Sequence, residues 1–332
     1  MITLERAGDL PSSWDDLAGN NYALRRDFLQ LLEVSQPCEQ RYHLFHTPTE
    51  RLDSIILTFR IRMNLMQYTP FTWHERVTMV HIPLSVTRPA LVIGVETENE
   101  VASFLKTIPG YSIILNWRGS PQFAHYCCGT MSPQLALDLR WKSFAQYLDS
   151  MRSNYRYRYS KAQKKGLGLN YRFLADNAEF SPAMYAQYMH VNQKSRIRIE
   201  TLTLEYFRQP TGRLLLCELE GQPMGFMQLI ENGSELIWAF VGYDPRHNQT
   251  FDIYLNMLLF LVRYAIENGF TVLEMGQTAE DAKLKLGACY TPLRILVGHS
   301  NPILNLLMRL SMPFLGYKAP PENFRVFHGA TA

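Results

Sequence analysis

The amino-acid sequence predicts an α/β protein of two domains, each a mixed sheet flanked by helices. Three observations predict it. The 332 residues exceed the roughly 250–300 at which a single hydrophobic core stops growing. Between 213 and 243, three β-like runs are joined by short turn signals, and an apolar helical pattern at 251–268 leads from them into a further strand. A hydrophobic fraction of 47% with 19% charged residues is the composition of a globular chain, neither fibrous nor disordered.

The first half is read as helix 22–34, a hairpin-like pair at 41–46 and 53–62, short strands near 78–83 and 90–95, helix 97–107 and strand 111–117. A long helical pattern from about 133 to 165 bridges the halves, giving expected domains of 1–150 and 151–332. The bridge ends in RSNYRYRYSKAQKKG, where arginines and lysines alternate with Tyr155, Tyr157 and Tyr159.

In the second half, LGLNYRFL (167–174) has strand composition. SPAMYAQYMHVNQKSRI (181–197) opens on Ser then Pro, as helices do, and LTLEYFRQ is a second helix. RLLLCELE, MGFMQLIE and ELIWAFVGY form an antiparallel meander across the turns Gly221-Gln222-Pro223 and Asn232-Gly233. Helix 251–268 is apolar nearly all round, with Asp252, Asn256, Arg263 and Glu267 as one polar stripe. Asn268-Gly269 stops it. Strand FTVLEM (270–275) follows through that helix, so it is expected to lie parallel to 235–243. Thr278 and Asp281 fit a capping box for a short helix carrying Lys283 and Lys285, and PLRILVGH (292–299) supplies the last strand.

Five cysteines without C-x-x-C spacing suggest neither a disulfide framework nor a metal site. The N-terminal MITLERAGDLPSSWDD lacks the basic and apolar regions of a secretion signal, so a cytoplasmic location is expected. The apolar run 253–266 is interrupted by Asn256 and Arg263 and is shorter than the ~20 residues that span a bilayer. A second apolar stretch, 301–317, is short and carries few cations. Docking on its own domain is expected there rather than contact with a membrane surface.

Three segments carry a resemblance: VGYDPRHNQTFDIYLNMLLFLVRYAIENGF, EMGQTAEDAKLKLGA and the basic helix before Gly166. Together with the element order, they are similar to the GNAT acyltransferase fold, and the whole chain resembles the FemAB-like, double-GNAT branch. The resemblance covers 150–300 well and the N-terminal half by its organisation. It implies a degenerate GNAT-like first domain and a second that carries an N-acyltransferase site. The donor would be acyl-CoA or aminoacyl-tRNA and the acceptor an amine. A different class stays open, a noncatalytic protein of the same fold that binds a small molecule or tRNA.

Lys283 matches the lysine of the family's glycine–lysine loop, which borders the acyl-transfer cleft. The residues point the same way: open sheets bind ligands beyond the carboxyl ends of their strands, where Tyr243-Asp244 and Glu274-Met275-Gly276 would meet. Lys283 there would hold a carboxylate or phosphate, beside Gly276 and Gln277; the alternative is a solvated helix lysine. Glu274 is the candidate general base, or else a partnered structural glutamate. Asp244 and His247 are secondary candidates, Asp244 having a turn-forming role as its alternative. Tyr243 is a candidate proton donor to the leaving group, and Trp238 lines core or pocket.

The loop YDPRHNQTFD has no glycine, whereas a pyrophosphate cradle at a helix start needs close backbone approach. Asp252 places a negative charge in the first turn, with Arg246 and His247 positioned to offset it. These departures speak against coenzyme A held in the standard manner and make aminoacyl-tRNA a serious alternative donor. Arg158, Lys161 and Lys165 share one helical face and could neutralise phosphates, with tyrosines for stacking. A solvated helix packed on a neighbouring domain is the other reading of that face.

Overall fold

The structure, a computed structural model, describes residues 1–36, 38–66, 69–119, 123–195, 200–318 and 324–329. The chain begins with β1 (Ile2–Leu4), α1 (Ser13–Ala18), α2 (Arg26–Ser35), β2 (Arg41–His46), β3 (Leu52–Asn64), β4 (His74–Val80), β5 (Leu91–Val92), α3 (Glu98–Thr107) and β6 (Tyr111–Trp117). There follow β7 (Cys127–Asp138), α4 (Phe144–Ser150), α5 (Ser153–Lys165), β8 (Leu169–Phe173), α6 (Pro182–Lys194), α7 (Leu204–Arg208), β9 (Arg213–Leu219), β10 (Gln222–Asn232) and β11 (Glu235–Tyr243). The last elements are α8 (Pro245–Phe251), α9 (Ile253–Glu267), β12 (Val272–Glu274), α10 (Glu280–Leu284), β13 (Cys289–His299) and α11 (Pro302–Leu315).

Two compact units result, neither continuous in sequence. The first is Met1–Pro133 with Arg196–Tyr206 and Pro292–Ala319; the second is Gln134–Ser195 with Phe207–Thr291 and Pro320–Ala332. The expected boundary at 150/151 is thereby corrected. Residues 134–150 belong to the second unit, while the last expected strand and the helix after it belong to the first.

In the first unit the sheet order is β1-β2-β3-β4-β6-β13, with β5 on β3. β4 and β6 are parallel, and β6 and β13 antiparallel. One face buries Phe59, Val77, Met79, Ile113, Leu115 and Leu293, the alternating positions of their strands.

In the second unit the order is β7-β12-β11-β10-β9-β8. β8 to β11 form the expected antiparallel meander, β11 pairs parallel with β12, and β12 pairs antiparallel with the end of β7. α9 supplies Met257, Leu258, Leu261, Val262 and Ala265 to the core, where Tyr147, Tyr159 and Ala162 of α4 and α5 also lie. Its one buried amide, Asn256, donates through Nδ2 to Ala162 O and Phe251 O, both at 2.8 Å. The polar stripe of this helix is therefore partly an internal tie to α5.

The continuous helix expected from 133 to 165 is not formed. Residues through Asp138 are strand, because Leu135 and Leu137 alternate into the core with period two. Two helices follow, separated by extended backbone at Met151 and Arg152. Helix 181–197 begins as expected, capped by Ser181, and runs to Lys194; residues 196 and 197 lie outside the described residues. Thr278 does not cap α10. Ala279, in the left-handed region at φ +56°, occupies the cap position and makes no side-chain cap bond. Asp281 instead pairs with Lys285 at 2.7 Å.

Candidate active site

β11 and β12 run in register at Glu235↔Val272, Leu236↔Leu273 and Ile237↔Glu274, and there their pairing ends. The cause is a bulge in β11. Opposite β10, Gln228 faces Phe240 and Leu229 faces Trp238, which leaves Ala239 as the extra residue. A bulge bends its strand and increases its twist, so β11 stays with β10 as far as Gly225↔Tyr243. β12's continuation follows β7 instead, with Met275 N–H donating to Leu135 O (2.8 Å) and Leu135 N–H to Gly276 O (2.9 Å). The two strands thus part at their carboxyl ends.

Lys283 reaches this notch from α10. The turn is made by Gly276, at φ +68°, and by Ala279. Lys283 is only 3% exposed, and its ammonium lies 5.1 Å from the centroid of the Trp238 ring. Burial lowers its pKa to about 7, against the opposing influence of Glu280. The Glu280 carboxylate itself accepts the Tyr290 hydroxyl at 2.8 Å.

Aromatic rings continue the wall along β11. Trp238 stands 6.1 Å from Tyr254 of α9, and Tyr254 stands 5.6 Å from Tyr243, centroid to centroid. The Trp238 Nε1–H spans the bulge to donate to Phe240 O at 3.2 Å. Burial raises the pKa of Tyr243, so its phenol keeps the proton. Glu274 ends β12 directly opposite Ile237 and Ala136, buried and engaged by other groups. Gly276 and Gln277 follow at the rim, both half-buried.

Asp244 is occupied otherwise. It caps α8 by accepting from Arg246 N–H at 2.9 Å, and it grips the Arg246 guanidinium at 2.6 Å. The guanidinium bond is the main reason its carboxyl is held down to about 2. His247 Nε2 is 3.9 Å from the same carboxylate. An acid so firmly ionised is a weak proton acceptor near neutrality, which makes Asp244 an organiser of the turn.

The segment read as a loop, 243–252, is largely helix α8. At the start of α9, Asn248 Oδ1 accepts Tyr254 N–H at 3.0 Å. Asp252, left-handed at φ +45°, sits at its cap and pairs with Lys165 at 3.2 Å. That arrangement does not suit a pyrophosphate seated on the first turn of α9.

On α5, Arg158 and Lys161 are exposed, whereas Lys165 also donates to Gln249 O at 3.1 Å and is tied to the α8–α9 turn. Of the tyrosines, Tyr157 is exposed, Tyr155 half-buried, and Tyr159 a core residue donating to Lys285 O. The bulge at Ala239 and the role of Tyr254 carry no signal in the sequence; one lies inside an uninterrupted β-like run and the other inside an apolar helix.

Residues 149–284 match the family model of the acetyltransferase (GNAT) domain. No curated protein matches the chain in sequence. Among solved structures, FemX is similar at 9% identity and a TM-score of 0.51, covering 81% of this chain and 90% of its own. The C-terminal domain of an Agrobacterium fabrum protein, provisionally named a lysylphosphatidylglycerol synthetase, is similar at 10% identity and a TM-score of 0.50, covering 86% and 90%. A conserved protein of unknown function from Bacteroides thetaiotaomicron aligns at 7% identity and a TM-score of 0.50, covering 82% and 89%. At these identities the likeness is one of fold. Residues 149–284 thus match a GNAT acetyltransferase domain, and the chain shares its fold with FemX and with the Agrobacterium fabrum domain.

Proposed function

We propose that the protein is an N-acyltransferase that moves an aminoacyl group from the ester of an aminoacyl-tRNA to an amine in the notch between β11 and β12. The observation that carries this reading is Lys283, a buried lysine whose ammonium lies over the Trp238 ring beside the Ala239 bulge. A charge placed inside a protein is costly unless something rewards it. A carbonyl that becomes an oxyanion in the transition state would do so.

In the proposed reaction the amine nitrogen attacks the ester carbonyl and its lost proton passes to solvent water; Glu274, paired opposite Ile237, stands on the other face of the sheet from Trp238 and holds the strand end. The Lys283 ammonium stabilises the oxyanion. As the carbon–oxygen ester bond breaks, Tyr243 gives its proton to the departing ribose hydroxyl, leaving an amide and free tRNA. Gly276 and Gln277 border the acyl group and Trp238 orients Lys283. Asp244, with Arg246 and His247, keeps α8 in place beneath the donor. Arg158 and Lys161 carry the tRNA phosphates, with Lys165 holding the end of α5 to the α8–α9 turn. The occupied start of α9 favours this donor over acyl-CoA.

The test supplies aminoacyl-tRNA and acyl-CoA separately with a panel of amines and follows amide formation by mass spectrometry. Amide from aminoacyl-tRNA alone is expected. Amide from acyl-CoA alone would keep the transfer and overturn the donor; no amide from either, with folded protein, would overturn the enzyme reading.

A further inference from the structure

Helix α11 is amphipathic in the inverted sense. Its polar Asn305 faces the first unit, accepting His299 N–H at 3.0 Å and donating to His125 O at 2.8 Å. Met312 is buried beside it, against Gly129, and Met308 packs on the sheet core. The outward face holds Ile303, Leu306, Leu307 and Leu310, spaced i, i+3, i+4, i+7 and exposed by 71%, 57%, 56% and 65%. A helix meant for water shows the opposite distribution. The sequence expectation that this stretch docks on its own domain holds for the polar side and fails for the apolar one.

The surroundings indicate what covers that face. Tyr111 belongs to the same core cluster as Met308, and Trp73, 44% exposed, lies 6.0 Å from Tyr111 with exposed Phe71 two residues before it. Aromatic side chains beside an aliphatic face are the composition of a segment at a membrane–water boundary. The charge is one-sided. From 292 to 318 the chain contains no acidic residue but has Arg294, Arg309 and Lys318. Arg309 and Lys318 are exposed on and just after α11, and Lys106, Arg309 and His299 are close enough to His125 to act on it electrostatically. Glu75, which accepts the Trp73 indole N–H at 3.1 Å, is the acid of this neighbourhood.

We infer that α11, with Phe71 and Trp73, is a docking surface for an anionic lipid bilayer, lying in the plane of the interface with its four aliphatic side chains in the acyl boundary. A second copy fits less well. Four such side chains offer on the order of 500 Å², short of the ~800 Å² per partner of a standard interface.

The experiment is co-sedimentation of the full chain with vesicles of phosphatidylcholine alone or with 30 mole per cent phosphatidylglycerol. At least tenfold tighter binding to the anionic vesicles, weakened by salt, is expected. Leu306→Asp with Leu307→Asp should lose at least tenfold with an unchanged circular dichroism spectrum. Leu310→Ser serves as a milder variant should the pair disturb folding. Absence of wild-type binding to the anionic vesicles, or equal binding by variants and wild type, overturns the inference. So does a concentration-dependent dimer that the variants dissociate without any lipid binding by the wild type. None of these readouts depends on acyl transfer.

Discussion

The ammonium of Lys283 stands over the indole of Trp238, 5.1 Å from its ring centroid, and both side chains are buried. An aromatic face attracts a cation but replaces only part of the hydration that burial removes. This is why the amine is poised near neutrality instead of being fully charged. Lys283→Met should therefore separate activity from stability. Amide formation is expected to fall at least 100-fold, while the fold becomes more stable at pH 6 by on the order of 2 kcal/mol. Single-turnover assays with urea unfolding of the same variant check both; a destabilised variant would show that the lysine is structural.

The same group sets a pH dependence. Its folded pKa of about 7 lies below the 10.5 of the unfolded chain, so between those values the unfolded state binds the extra proton. Stability should rise with pH across that window, with the lysine's penalty complete below about pH 7. Activity that needs the ammonium should move oppositely, with kcat/KM declining as pH rises through about 7. Urea midpoints and a kcat/KM profile over pH 5.5–9 give the two slopes, and Lys283→Met should flatten the first.

Charge reversal on α5 tests the donor. Arg158→Glu with Lys161→Glu should weaken tRNA binding by at least tenfold and reduce the slope of log affinity against log salt. Both residues are exposed, so melting should stay within a few degrees of the parent. Filter binding at several salt concentrations decides it, and unchanged affinity would remove tRNA from the proposal.

Gly242 tests how β11 is held on its other side. A Cβ there would come within 2.6 Å of Tyr188 N and 2.9 Å of the Gln187 carbonyl carbon, both backbone atoms of α6. Gly242→Ala must push α6 from the strand, at an expected loss of roughly 1–3 kcal/mol. Gly276→Ala adds a side chain to open space and costs only the strain of its positive φ, about 1 kcal/mol. Thermal melts of the two variants should rank in that order.

What the sequence disclosed follows from which signals are local. The meander, helix α9 and the parallel entry of β12 were legible because turns and period-two or apolar helical patterns declare themselves within a few residues. The same locality marked the short helix after β12, on which Lys283 sits. It misread 133–138, where the period-two spacing of Leu135 and Leu137 is a short signal beside the longer helical pattern that follows, and pairing with β12 makes the segment a strand. The partition into units was hidden for a related reason, since β13 pairs with β6, a strand that begins almost 180 residues earlier. The opening between the strands depends on one unpaired residue, Ala239, which nothing in ELIWAFVGY marks.

That single surplus residue stores a bend and not a change of face. Trp238 and Phe240 stand opposite Leu229 and Gln228, neighbours on opposite faces of β10, so removing Ala239 would leave every side chain of β11 on its present face and take away only the local kink and added twist. The parting of the two strands is thus written into the chain as a count of residues more than as any one chemical group.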